Sequence, residues 1–131
     1  MTDKSAFIHV GITVSDLERS VAWYREHFGF IEVRRFEKPG LEIKAAVIQL
    51  NGIQFELLQP ANPVGRERPV SPLVKELKAS GANHIALGVA DISRCYETLE
   101  NSGCTMVTEL LGGKMFFCKD PDGTMLEVKQ L

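Results

Sequence analysis

The sequence predicts an α+β protein made of two copies of one module, a strand followed by a helix and then three strands (βαβββ). The first observation behind this is an early motif written twice. FIHVGITVSDLE at 7–18 returns as NHIALGVADIS at 83–93, with His9 matching His84, Val14 matching Val89 and Asp16 matching Asp91. The second is a late motif, NGIQFELLQ at 51–59 and DGTMLEVKQ at 122–130, in which Gly52 matches Gly123 and Glu56 matches Glu127. The third is the stretch PANPVGRERPVSP at 60–72, which holds four of the six prolines and separates the copies as a linker. Self-similarity of this kind marks a duplicated supersecondary unit. The expected layout is a single domain, with module one at about 5–60, linker and short helix at 61–81, and module two at about 82–131.

Each element follows from local pattern. In residues 7–14, alternation puts Ile8, Val10, Ile12 and Val14 on one face and His9, Gly11 and Thr13 on the other. Ser15 is expected to cap the following helix, with Glu18 completing a capping box. Leu17, Val21, Tyr24 and Phe28 form its apolar stripe, Gly29 suits a left-handed stop, and His27 in the last turn reads as a surface residue. Strand-like runs follow at 30–37, 44–50 and 53–59, the first pair punctuated by Pro39-Gly40 and the second joined by Asn51-Gly52, a strong hairpin turn. After the linker, Ser71 is expected to open a short helix anchored by Leu73, Val74 and Leu77 and ended by Gly81.

Module two repeats the order. Ile85, Leu87 and Val89 alternate against His84, Ala86 and Gly88. Asp91 caps a helix with Ile92, Cys95, Tyr96 and Leu99 facing inward, and Gly103 stops it. Strands are expected at 104–110, 113–119 and 124–130, the last two joined by the turn Asp120-Pro121-Asp122-Gly123.

Composition narrows the function classes. The net charge of −2 and the absence of a basic block leave nucleic acid and membrane surfaces without support as partners. No apolar run approaches membrane-spanning length, and MTDKSAF lacks the apolar core of a signal peptide. Cys95, Cys104 and Cys118 are odd in number and lack CxxC spacing, which points to reduced, packed thiols and a cytoplasmic setting.

The chemistry follows from side-chain parity. In each module the early His and the late Glu lie opposite the helix-packing face of their strands. Two equivalent sheets curving together would aim His9, Glu56, His84 and Glu127 into one concavity. Carboxylates placed mid-strand between apolar neighbours need a partner, and a divalent cation is one that serves both. Two imidazoles and two carboxylates suit Zn²⁺, Ni²⁺, Co²⁺, Fe²⁺ or Mn²⁺. A lone strand His or Glu is ordinarily structural; the matched recurrence of both is what points to a metal centre.

The stretches HVGITVSDLERSVAWYREHFGF, IQFELLQP, NHIALGVADI and FFCKDPDGTMLEV resemble the vicinal oxygen chelate superfamily, which includes glyoxalase I, methylmalonyl-CoA epimerase, extradiol dioxygenases and fosfomycin and bleomycin resistance proteins. That resemblance implies two βαβββ modules forming a cup-shaped, partly closed mixed sheet with helices outside. It places His9, Glu56, His84 and Glu127 on the family's four ligand positions, a set similar to that of bacterial glyoxalase I. It further implies a homodimer acting on a small-molecule substrate, as a lyase or isomerase that moves a proton beside a carbonyl, with Glu127 as the base and Glu56 as the alternate. The segment ELLQP through the helix before His84 is similar to methylmalonyl-CoA epimerase, although Asn83 stands where that enzyme doubles the histidine. Leu57-Leu58 departs from the polar stretch that glyoxalase I associates with glutathione. Arg66 and Arg68 are candidates to grip a substrate phosphate or carboxylate, and of Arg34 and Arg35 only one can face the cup. The alternatives are an extradiol-type dioxygenase, a metal-free drug-binding protein whose cleft Phe116 or Phe117 would line, and a fosfomycin-type thiol transferase.

Overall fold

The computed structural model describes residues 5–65 and 71–131. The chain divides into two compact units, residues 1–64 and 65–131. Each unit contains one four-stranded mixed sheet.

Unit one runs β1 (Val10–Thr13), α1 (Leu17–Phe28), β2 (Ile31–Lys38), a 3-10 turn (Pro39–Leu41), β3 (Ile43–Leu50) and β4 (Ile53–Pro60). Its strand order is β1-β4-β3-β2, with β1 parallel to β4 and the other pairs antiparallel. The β3–β4 hairpin turns at Asn51 (φ 50°) and Gly52 (φ 80°), both left-handed, as a two-residue primed turn requires. One face of the sheet carries Phe55, Leu57 and Ile48 into a core with Leu17, Val21 and Tyr24 of α1. Tyr24, Phe30 and Phe55 meet there, Tyr24 edge-on to both other rings. The first strand is shorter than expected, and Ile8 is largely exposed instead of joining the packing face.

The N-cap of α1 is Asp16, whose side chain accepts from Arg19 N, where Ser15 was expected. Ser15 Oγ instead accepts from the Arg19 guanidinium, and Glu18 pairs with Arg35 in place of closing a capping box. Both Ser and Asp are good caps, so the repeat was the better guide. Asp91 occupies the matching position and accepts from Arg94 N. Gly29 ends the helix at φ 80°.

Unit two runs α2 (Leu73–Glu76), β5 (Ile85–Val89), α3 (Ile92–Asn101), β6 (Thr105–Met106), β7 (Met115–Lys119) and β8 (Met125–Gln130). The order β5-β8-β7-β6 repeats that of unit one, with β5 parallel to β8. The 104–110 run forms a strand over two residues only. Beyond Met106, Val107 N and Thr108 N both donate to Phe117 O, which ends the regular ladder. The short α2 is held by Leu73 alone among its expected anchors, since Val74 and Leu77 are exposed.

The duplication extends to register. Val10 pairs with Phe55 and Gly11 with Glu56 in unit one, while Ile85 pairs with Leu126 and Ala86 with Glu127 in unit two. A slip of one residue would turn either Glu onto the helix side, so the shared register fixes which face each carboxylate occupies.

A second repeated device fixes each helix to its sheet. Gln59, in β4, accepts from Leu17 N at 2.7 Å, and Gln130, in β8, accepts from Ile92 N at 3.0 Å. Each glutamine thereby satisfies the first backbone N–H of its helix, one of the donors a helix start leaves without an internal partner.

Candidate metal centre

Each unit brings one histidine to one glutamate. His9 immediately precedes β1, and its side chain lies on the face that Gly11 shares across the parallel pairing with Glu56. His9 Nε2 is 3.7 Å from Glu56 Oε2. In unit two the same geometry returns, with His84 preceding β5, Ala86 opposite Glu127, and His84 Nε2 3.7 Å from Glu127 Oε1. The residue between each pair is Gly or Ala, so no side chain of size stands between imidazole and carboxylate. The carboxylates are mostly covered, at 12% and 14% exposed, while the imidazoles are more open at 36% and 29%.

At 3.7 Å neither pair is a hydrogen bond. The spacing does suit two donors of one ion. Metal–nitrogen and metal–oxygen bonds of about 2.0–2.2 Å allow a single cation to reach both atoms at that separation. The donor chemistry fits as well, since imidazole nitrogen and carboxylate oxygen together suit first-row divalent metals. Among the described residues no group of three or more His, Cys, Asp or Glu side chains is gathered to hold a metal. The structural unit of the candidate centre is therefore a His–Glu pair, present twice.

The remaining candidates separate by face. Phe117 lies opposite Glu127 in the β7–β8 ladder, and its ring meets the His84 imidazole edge-on at 5.2 Å. Phe116, on the other face, is fully buried against Tyr96 of α3, so it belongs to the core and cannot line a cleft. Arg35 is committed to Glu18 and Glu32, and its guanidinium holds the Glu32 carboxyl below the usual carboxylate range. Arg34 stacks over Phe36 at 4.8 Å. A bulge between Glu32 and Arg34 resets the alternation of β2 just before this pair. Arg66 and Arg68 lie outside the described residues. His27 is half-buried against Trp23 instead of sitting free on the surface, and burial lowers its pKa from the ordinary histidine value.

Two features of this region were not anticipated. Asn83 bonds His84 directly, with Asn83 Oδ1 2.9 Å from His84 Nδ1. Lys119 and Glu76 form an ion pair at 3.1 Å with side chains only 7% and 10% exposed. Neither residue type nor spacing announces a buried pair joining a short helix to a strand, because a Lys at a strand end reads as solvated.

Duplicated βαβββ units that each present a His–Glu pair at matching register define a class of two-module folds. The chain belongs to the glyoxalase/bleomycin resistance protein/dioxygenase superfamily, whose model matches residues 6–128. It is similar to the ethylmalonyl-CoA/methylmalonyl-CoA epimerase of Cereibacter sphaeroides, at 28% identity covering 94% of this chain and 96% of that protein. It is also similar to a probable lactoylglutathione lyase of Vibrio cholerae, at 27% identity covering 94% and 88%. Among solved structures, the glyoxalase I of Leishmania major, described as trypanothione-dependent, superposes with a TM-score of 0.78 at 24% identity, covering 97% of this chain and 87% of that one. Among the described residues no helix is long and apolar enough to cross a membrane.

Proposed function

We propose that this protein is a metal-dependent isomerase or lyase that moves a proton beside a carbonyl, of the glyoxalase I or acyl-CoA epimerase type. The observation that carries the reading is the pair of His–Glu half-sites, equal in spacing and register. His9, Glu56, His84 and Glu127 are the residues that would hold one divalent ion, Zn²⁺, Ni²⁺, Co²⁺, Fe²⁺ or Mn²⁺. Completing that set requires module one and module two to meet, within one chain or between the two chains of a homodimer. Likeness to both an epimerase and a lyase supports the shared chemistry more than either substrate.

A divalent ion held there supplies Lewis acidity, which makes a proton beside a carbonyl easier to remove. The two histidines would be the fixed anchors of that ion. Glu127 removes the proton from the carbon next to the carbonyl and returns it to the neighbouring carbon in the lyase reaction. In the epimerase reaction Glu127 would keep the proton it removes, and a protonated Glu56, the second acid–base group, would deliver another to the opposite face of the same carbon. Each transfer by a positioned carboxylate is worth ~10²–10⁴-fold. Arg66 and Arg68 would grip a phosphate or carboxylate of the substrate, and Phe117 would border it beside His84.

The reading is tested by titrating metal-free protein with Ni²⁺, Co²⁺ and Zn²⁺. The loaded protein is then assayed on the methylglyoxal–glutathione adduct and for deuterium exchange into methylmalonyl-CoA. One ion per chain is expected, with turnover of one of the two substrates. Glu127→Gln should keep most of the metal and lose at least ~100-fold in proton exchange. Unchanged exchange in that variant removes Glu127 as the base, and failure of the wild-type protein to bind any of the ions removes the whole reading.

A further inference from the structure

The two histidines are equivalent in the repeat but not in their surroundings. Ile8 precedes His9 and is 74% exposed, whereas Asn83 precedes His84. The Asn83 amide is held at both ends. Its Nδ2 donates to the backbone carbonyl of Glu76, in α2, at 2.9 Å, and its Oδ1 lies 2.9 Å from His84 Nδ1. A backbone carbonyl can only accept, so the amide nitrogen must face Glu76 and the amide oxygen must face the imidazole. The amide oxygen also can only accept. The proton of neutral His84 is therefore on Nδ1, and the free lone pair is on Nε2, the nitrogen 3.7 Å from Glu127.

We propose that Asn83 is a positioning residue, which locks His84 in the tautomer that offers Nε2 to the metal and so makes the module-two half-site the pre-organised one. This rests on the metal-centre reading given above. The anchor is firm because α2 is tied to β7 through the covered Glu76–Lys119 pair, and the Phe117 ring edge-on to His84 restricts the imidazole further. Among the described residues His9 has no hydrogen-bond partner at Nδ1, so its tautomer is not chosen before the ion arrives. Outer partners of this kind set ligand orientation and basicity, and losing one typically weakens metal affinity by ~10–100-fold.

The test combines two-bond ¹H–¹⁵N NMR of the metal-free protein at pH 8, which reads each imidazole's tautomer, with competition titration of Zn²⁺. In the wild-type protein His84 should carry its proton on Nδ1, and His9 should populate both tautomers. Asn83→Ala should mix the His84 tautomers and weaken Zn²⁺ binding by ~10–100-fold, leaving the His9 signals unmoved. Asn83→Asp keeps the acceptor oxygen but loses the donor to Glu76 O, and should retain the Nδ1–H tautomer of His84. A wild-type His84 protonated on Nε2 overturns the proposal by itself, whether or not any variant folds. So does an Asn83→Ala protein with unchanged tautomer and affinity. A wild-type protein that binds no Zn²⁺ while showing the Nδ1–H tautomer removes the metal centre but leaves the hold of Asn83 on the ring established, so the two failures are distinguishable.

Discussion

Gln59→Ala is the sharpest test of how the fold holds its site strand. The Gln59 side chain accepts from Leu17 N at 2.7 Å across 42 residues of sequence, at a part-buried position. Leu17 itself is only 3% exposed, so water cannot readily replace the lost acceptor. A buried donor left without a partner costs about 1–3 kcal/mol, and the short, well-covered bond argues for roughly 2. For a domain of this size that corresponds to a fall in Tm of about 6–10 °C. Gln59→Glu provides the control. It keeps the acceptor and sets a negative charge at a helix start, where the macrodipole favours it by about 0.3–1 kcal/mol at an exposed position. Desolvation of the charge offsets part of that gain, so the Glu variant should lie near the wild type and well above the Ala variant. Urea denaturation of the metal-free proteins, followed by circular dichroism, measures both without a contribution from ion binding. Gln130→Ala removes the matching bond to Ile92 N and should cost about as much. Ala variants within about 0.5 kcal/mol of the wild type would show that the glutamines do not hold the helix starts.

Two further perturbations address the surroundings of the second half-site and the thiols. Glu76→Met leaves the Lys119 ammonium, on a side chain 7% exposed, without the carboxylate at 3.1 Å, and should cost about 3–5 kcal/mol. Replacing both residues by Met should recover much of that loss in chemical denaturation, whereas a single variant as stable as wild type would show a solvated pair. Burial pushes the Cys95 thiol up to about 11, while the hydrogen bond from Cys118 lowers the Cys104 thiol. Iodoacetamide at pH 8 should therefore modify Cys104 first, and Cys95 about a hundredfold more slowly than an unperturbed thiol, because only the thiolate reacts. Labelling of Cys95 should keep rising as pH approaches 11. Equal rates at the two sites in mass spectra would contradict the burial of Cys95.

The element order, the hairpin at Asn51-Gly52 and the glycine stop at Gly29 were legible because each depends on local pattern or on a backbone angle few residues accept. The face of Glu56 and Glu127 was legible too, since period-two alternation sets it once a strand is assigned. What the sequence did not disclose are interactions whose partners are far apart and chemically ambiguous. Gln59 and Gln130 recur in the repeat and could have been found by asking why an amide returns at the end of each module. Glu76 and Lys119 have no counterpart in the other module, so nothing in the duplication flagged them. The 104–110 run shows the limit of pattern: its residues suit a strand, but the backbone donors of Val107 and Thr108 converge on one carbonyl and the ladder stops.

The duplication also explains why the half-sites need not stay alike. A shared register obliges both modules to keep a small residue opposite the glutamate, and they do so with Gly11 and Ala86. A Cβ on Gly11 would meet nothing nearer than Leu58 Cδ1 at 4.0 Å, so space alone does not demand glycine there. The preserved quantity is the open path from imidazole to carboxylate, which alanine leaves clear and a branched side chain would block. Outside that path the modules are free to diverge, and they have done so most visibly one residue before each histidine. Ile8, 74% exposed, can be exchanged at modest cost. Asn83, which bonds the His84 ring, would make its half of the proposed centre ready before a metal arrives. Symmetry in the two His–Glu pairs with asymmetry in their supports is what a duplicated module yields when, as in the centre proposed above, only one pair has to be poised in advance.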